Sequence, residues 1–282
     1  MLDPARLLAY PLPPIRQTLT RRDTVLYALA IGLGQDPLDP AQLDFVDAQR
    51  ALKAMPSMAV VLGYPGFWLA DPATTVDAVR LVHGEQGIQL HRPIPVEGEL
   101  VGETRITGLV DKGKGKGALL YSEKRLTEAG SGALIATATA TTFLRADGGF
   151  GGPSGPTKAA HPTPDTPPDI VVDLATRPEQ ALLYRLLGDD NPLHADPATA
   201  SAAGFERPIL HGLCTFGVVT HAILRSLCDY DPARLRSLDL RFSAPVFPGE
   251  TIRTEIHDDG SFRARVVERD IVVVTNGKAV VQ

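Results

Sequence analysis

Residues 213–227 read LCTFGVVTHAILRSL. The stretch is apolar nearly all round and carries no charge before Arg225. A helix of that composition has no solvent face, so it belongs in an interior. Strand-like runs follow at Leu238–Val246, Thr251–His257, Phe262–Glu268 and Ile271–Asn276. One buried helix wrapped by antiparallel strands is what this order predicts, in the α+β class.

Upstream, Ile88–Pro93, Leu100–Leu109, Ala118–Leu126 and Leu134–Leu144 also read as strands. Thr24–Leu33 reads as a helix, with Asp23 as its N-cap and Gly34 as its stop. Two echoes link the halves. His91 to Glu99 (HRPIPVEGE) resembles Phe242 to Glu250 (FSAPVFPGE), and Val82-His83-Gly84 resembles Leu210-His211-Gly212. The histidine stands 15 residues before the turn glycine in the first half and 38 before it in the second. The extra residues hold the apolar helix. The first half is therefore expected to carry the same sheet with its central helix shortened or lost.

The chain has 282 residues, which fits one large domain or two small ones at about 150 residues each. Its 26 glycines and 24 prolines are the unusual part of the composition. Many fall in Ala146 to Asp169, ADGGFGGPSGPTKAAHPTPDTPPD, which has almost no large apolar side chains. It reads as a linker at 146–169 between an N-terminal unit, 1–145, and a C-terminal unit, 170–282.

Hydrophobic residues at 44% and charged residues at 22% are ordinary for a globular protein, so disorder throughout is excluded. No uncharged apolar run approaches the roughly 20 residues of a membrane span. Four prolines among residues 1–17 do not suit a secretory signal. The ending Ala279-Val280-Val281-Gln282 is not a Ser-Lys-Leu type address. A net charge of −5 argues against nucleic acid as partner. Two cysteines, Cys214 and Cys228, form no CxxC pair and point to a reducing compartment, so a cytoplasmic location is expected.

The chemistry concentrates in Tyr184 to Pro197, YRLLGDDNPLHADP. Pro192 prevents a helix from running through it. Asp196 and Pro197 look like the N-cap and first position of a short helix closed by Gly204. Asp189 and His194 then share one tight loop pinned by a helix start. A carboxylate and an imidazole held together suit proton transfer to and from water near neutral pH. Asp, Asn and Pro are also ordinary turn formers, so GDDNP by itself reads as a loop. No HExxH or similar metal spacing and no redox-cofactor motif is present, so neither metal nor cofactor is expected.

The string from Gly188 to Ala200, G-D-x-N-P-L-H-x-D-P-x-x-A, resembles the signature of the hydratase 2 group of MaoC-like enzymes. These are (R)-specific enoyl-CoA hydratases, among them the hydratase part of the peroxisomal multifunctional enzyme type 2. Leu187 departs from the pattern, where the family has a small residue. Arg22-Asp23 with Leu26 to Leu29, His83 to Gln86, Asp111 to Gly113, His211-Gly212, Arg241-Phe242 and Gly249-Glu250 fall in the family's order.

The resemblance implies a double hot dog: two antiparallel sheets, with a full central helix only in the C-terminal repeat. The space left by the missing helix would admit bulky acyl chains. Asp189 and His194 would form a dyad that holds a water. Gly212 would supply a backbone oxyanion donor, and Asn191 would orient the dyad. His83, Gly84, Lys112, Asp190, Pro192, Leu193 and Phe242 would contact the acyl-CoA. Lys114, Lys116 and the histidines His91, His161, His221 and His257 are read as structural or solvated, and His211 as part of a helix start. Coenzyme A would be part of the substrate, and a homodimer is expected.

Three other readings compete. A (3R)-hydroxyacyl-ACP dehydratase would run the same dyad in reverse, with acyl carrier protein as partner. A hot-dog thioesterase lacks the GDxNPLH loop. A non-catalytic acyl-CoA binding protein would not need both Asp189 and His194.

Overall fold

The structure is a computed structural model, and it describes residues 2–282. Ten strands form one antiparallel sheet. From its first edge run β1 (Ile15–Leu19), β3 (Gly98–Asp111), β4 (Ala118–Glu128), β5 (Leu134–Leu144) and β2 (Leu81–Leu90). The order continues with β7 (Leu235–Phe242), β10 (Ile271–Val281), β9 (Ser261–Val266), β8 (Thr251–Ile256) and β6 (Ile170–Ala175). Read from its outer edge, each half has the order first, third, fourth, fifth, second. The two halves are thus copies of one topology, as the double hot dog requires.

The expected two sheets are joined into one. β2 pairs with β7 antiparallel, from Glu85 opposite Arg241 to Gln89 opposite Ser237. The reason is the edge. Each half alone would leave a strand with unpaired backbone groups, and these groups satisfy one another across the seam.

The apolar stretch 213–227 lies in α6 (Gly212–Leu227), with every residue from Cys214 to Leu224 buried. It packs on β6, β7 and β8 of its own half and on β2 of the other. A Cβ on Gly217 would come within 2.4 Å of Ile31 Cγ2, so glycine lets the first half's helical layer approach this closely. After the short α1 (Pro4–Leu8), that layer begins with α2 (Arg21–Ala30), which starts earlier than expected. Its N-cap is Thr20, and Asp23 is the reciprocal partner in a capping box: Asp23 N–H donates to Thr20 Oγ1 at 3.2 Å and Thr20 N–H to Asp23 Oδ2 at 2.9 Å.

The turn echo holds, because Gly98 and Gly249 both follow the second strand of a copy with positive φ, +139° and +95°. The His-Gly echo does not. His83 lies inside β2, whereas His211 precedes α6. The spacing between these histidines and the turns therefore measures no deletion. Residues 20–80 connect β1 to β2, and residues 176–234 connect β6 to β7, so the connections are nearly equal in length. The first half keeps its chain but folds it as α2, α3 (Pro40–Val46) and four 3-10 turns. Pro56 starts the 3-10 turn Pro56–Val60, Gly63 at φ +58° turns the chain out of it, and the turn packs against α6.

Residues 145–169 contain neither helix nor strand. Their order comes from polar contacts. Gly149 and Gly151 N–H groups donate to the Asp111 carboxylate at 2.7 and 2.8 Å. Lys158 pairs with Asp239 at 2.8 Å, and Asn276 Nδ2 donates to the His161 carbonyl at 2.7 Å. No helix among the described residues is long and apolar enough to cross a membrane.

Candidate active site

The loop after α4 (Gln180–Arg185) turns at Gly188 and sets Asp189 under the start of α6. Its shape is locally fixed. Asn191 N–H donates to Asp189 Oδ1 at 3.2 Å. The Asn191 side chain accepts from Leu193 N–H at 3.0 Å and caps the 3-10 turn Pro192–His194. Asp196 then caps α5 (Pro197–Ala202) through the N–H groups of Ala198 and Thr199, at 3.0 and 3.2 Å, as the sequence predicts.

His194 is 9% exposed, and its Nδ1 lies 2.9 Å from the Ile209 carbonyl. A carbonyl can only accept, so Nδ1 carries the proton and Nε2 is left as the basic nitrogen. Burial lowers the pKa of His194 below the ordinary histidine value, while the Ile209 bond and the Asp189 charge act in the opposite direction. His211 stacks on this ring with centroids 3.7 Å apart. Its Nδ1 is buried without a hydrogen-bond partner. Burial, and then the neighbouring His194, push its pKa down to about 3.

Donor atoms of Asp189, His194 and His211 all lie within 4.8 Å of one another. They are close enough to touch one ion. Yet the two imidazole planes are only 27° apart and stacked, so their in-plane lone pairs run side by side instead of converging. The arrangement suits a polar molecule bridging carboxylate and imidazole better than a metal.

These groups open into a cavity of about 1250 Å³ lined by both copies. Gly212 and Leu213 begin α6 there, and no side chain caps that end. They line the same cavity as the dyad, and a helix start of this kind carries unpaired N–H groups and positive potential. His83 enters from β2, where a bulge between His83 and Glu85 re-aims the chain. Its Nε2 is 3.0 Å from the Glu85 carbonyl, and its ring meets Phe242 edge-on at 5.2 Å. A Cβ on Gly212 would sit 3.5 Å from that same Phe242 ring. His83, Gly212 and Phe242 thus converge across the seam.

Residues 18–146 match the MFE-2 hydratase 2 N-terminal domain, and residues 159–282 match the MaoC like domain. The peroxisomal enoyl-CoA hydratase 2 of Arabidopsis thaliana is 41% identical over 95% of this chain and 92% of that protein. The chain belongs to the MaoC-like hydratase 2 family. A MaoC-like dehydratase from Phytophthora capsici superposes over 100% of this chain and 99% of its own, with a TM-score of 0.87 and 33% identity. A Mycobacterium tuberculosis protein with a double hot-dog fold shares the architecture at a TM-score of 0.54 and 16% identity, covering 96% of this chain and 92% of that one.

In this hydratase 2 chain, Asp189, Asn191, Leu193, His194, Gly212, His83, Gly84, Lys112 and Phe242 all line the cavity. Asp190 and Pro192 do not. Asp190 is exposed and lies 3.8 Å from Arg185, and Pro192 is spent on starting the 3-10 turn. Lys112 stands in a loop closed by its own N–H bonding to the Gly117 carbonyl at 3.0 Å. Lys114 and Lys116 point elsewhere, but Arg145 and Lys158 join Lys112 in the lining.

Sequence reasoning reads His211 as part of a helix start alone and does not mark Tyr64 or Lys124. Burial and the nearby Asp189 charge push the Tyr64 hydroxyl up to about 12. Tyr64 sits in a loop that no periodicity marks. Lys124 is legible from the strand period: in β4 it shares one face with Leu120, Ser122 and Leu126.

Proposed function

We propose that this chain hydrates trans-2-enoyl-CoA reversibly to (3R)-3-hydroxyacyl-CoA, in fatty acyl-CoA metabolism. The observation that carries the reading is the approach of the Asp189 carboxylate to His194 under the open N-terminus of α6. A water held between them is hydrogen-bonded to both. Its oxygen adds to C3, and Nε2 of His194 takes its proton. The proton held on His194 then passes through Asp189 to C2, so both groups end the cycle as they began. One water is gained across the double bond, and nothing is oxidised or reduced.

As oxygen adds, negative charge moves to the thioester oxygen. The Gly212 N–H and the α6 dipole meet it there. Asn191 holds the Asp189 carboxylate through its backbone N–H. Lys112 and Arg145, which make no ion pair among the described residues, meet the phosphates of coenzyme A. His83 and Phe242 flank the thioester, with Gly84 and Leu193 beside them.

We further propose a cytoplasmic homodimer. The two cysteines are free and buried, which suits a reducing compartment; the dimer rests on family resemblance. The relatives' peroxisomal names make location the first point to test, by imaging a tagged chain in its own cell.

The activity test follows loss of the enoyl-thioester absorbance over a series of chain lengths from crotonyl-CoA upward, with chiral analysis of the product. Hydration to the (R) alcohol is expected. An (S) product, or no turnover with tight binding, overturns the reading.

A further inference from the structure

The hydratase reading leaves one buried charge without a use. Lys124 is 6% exposed and lines the cavity on the first copy's inward face. Its cross-strand neighbours are Thr104 on β3 and Ala138 on β5. Its Nζ donates to the carbonyls of Val60 and Leu62 at 2.8 and 2.6 Å. An ammonium has three donors, so a third N–H remains. No carboxylate pairs with it among the described residues, and burial draws its pKa down to about 7.

A lysine here is expensive if its task is only to hold a turn, because a buried charge without a counter-charge is costly. Thr104 Oγ1 is buried and has no hydrogen-bond partner. Ser122 lines the same wall, and the Tyr64 ring lies 5.9 Å from Nζ. Ala138 and Ala140 keep the floor beside it low. On the hydratase reading, the acyl chain would run into this part of the cavity.

We propose that Lys124 is a specificity residue for acyl chains that end in a carboxylate. One carboxylate oxygen would accept the third Nζ–H and supply the missing counter-charge. The other would accept from the Thr104 hydroxyl. A methyl-terminated chain would leave both donors unpaired under its tail. The inference rests on the hydratase reading for its substrate class and deepens it.

The test compares trans-2-enoyl-CoAs bearing a terminal carboxyl with methyl-terminated partners of equal carbon number. Their kcat/KM ratio is read by competition, and binding of the saturated analogues is read alongside. At one or more lengths the wild-type ratio should favour the carboxylate by about tenfold or more, the scale of a charge-assisted hydrogen bond. In Lys124→Met that preference should collapse, and in Thr104→Val it should shrink. Because each ratio is internal to one protein, general loss of activity cancels. A wild-type ratio favouring methyl at every length overturns the inference, as does a ratio that Lys124→Met leaves unmoved. Hydration of the methyl series without carboxylate preference sinks this inference alone. Selective binding of the carboxylate analogues with no turnover of either series sinks the hydratase reading instead. If Lys124→Met does not fold, the wild-type and Thr104→Val ratios still decide.

Discussion

The imidazole of His211 stacks on that of His194 with ring centroids 3.7 Å apart, so neither ring can take a proton without raising the cost for the other. Burial already holds both below the ordinary histidine value of 6.5, His211 at about 3. His221, buried in α6, is held at about 4. The folded chain therefore favours three neutral imidazoles, whereas the unfolded chain protonates them near 6.5. Stability from these groups is full above 6.5 and declines as pH falls below it. The urea midpoint should drop between about pH 7 and about pH 5, with the folded state binding fewer protons throughout. A flat midpoint over that window would show the rings to be charged in the fold. The same lowering places the acid limb of the kcat/KM profile below 6.5.

Asp189 and His194 should be individually indispensable. Asp189→Asn keeps the shape and the Asn191 N–H contact but removes the charge. His194→Gln removes the basic nitrogen. Each should lower kcat by about 10²- to 10⁴-fold, the usual worth of a positioned acid or base. Circular dichroism and thermal melting establish that the variants fold. Near-normal turnover in a folded variant takes that residue out of the mechanism.

Asp111 sits outside the reacting centre, yet its carboxylate accepts from the N–H groups of Gly113, Gly149 and Gly151 at 2.8, 2.7 and 2.8 Å. It ties the Lys112 loop to the glycine-rich stretch that follows β5. Asp111→Ala should free both. The expected outcome is a several-fold rise in KM for the CoA substrate with kcat little changed, and a lower melting temperature. Proteolysis at residues 145–169 should also quicken. An unchanged KM would mean that the loop does not meet the ligand.

Much of this was legible because two kinds of signal are local. The apolar run 213–227 has no polar face, so burial was its one outcome. The Asp189–His194 loop is built from prolines, caps and turn formers within fifteen residues, and chain connectivity alone brings those side chains together. What was illegible is long-range. β1 and β6 are short edge strands whose partners lie far along the chain, so their own residues say little. The seam between β2 and β7 carries a side-chain mark, the Glu85–Arg241 ion pair at 2.6 Å, but its partners stand 156 positions apart, so no local pattern reveals it. The repeated His-Gly pair misled because two residues occur twice by chance more easily than a turn with positive φ does. The sequence marks His211 as a helix start, which it is. Its second role comes from stacking on a residue seventeen positions earlier, and spacing does not reveal that.

The acyl space offers the sharpest test of the missing helix. In the second copy the inward face of the sheet is covered by α6, eleven of whose sixteen residues are buried. In the first copy the corresponding cover is the 3-10 turn Pro56–Val60, and beyond it Ala138 and Ala140 face the cavity. Alanine at both positions leaves a low floor on β5. Ala140→Phe would fill part of the volume that the absent helix opens. Chains long or branched enough to use that volume should lose about 10- to 100-fold in kcat/KM, the scale on which a packed pocket discriminates by size. Crotonyl-CoA, which ends before it, should lose far less. The chain-length profile of the variant against wild type reads this directly. An equal loss at every length would place the acyl chain elsewhere and leave the space over β5 without a substrate role.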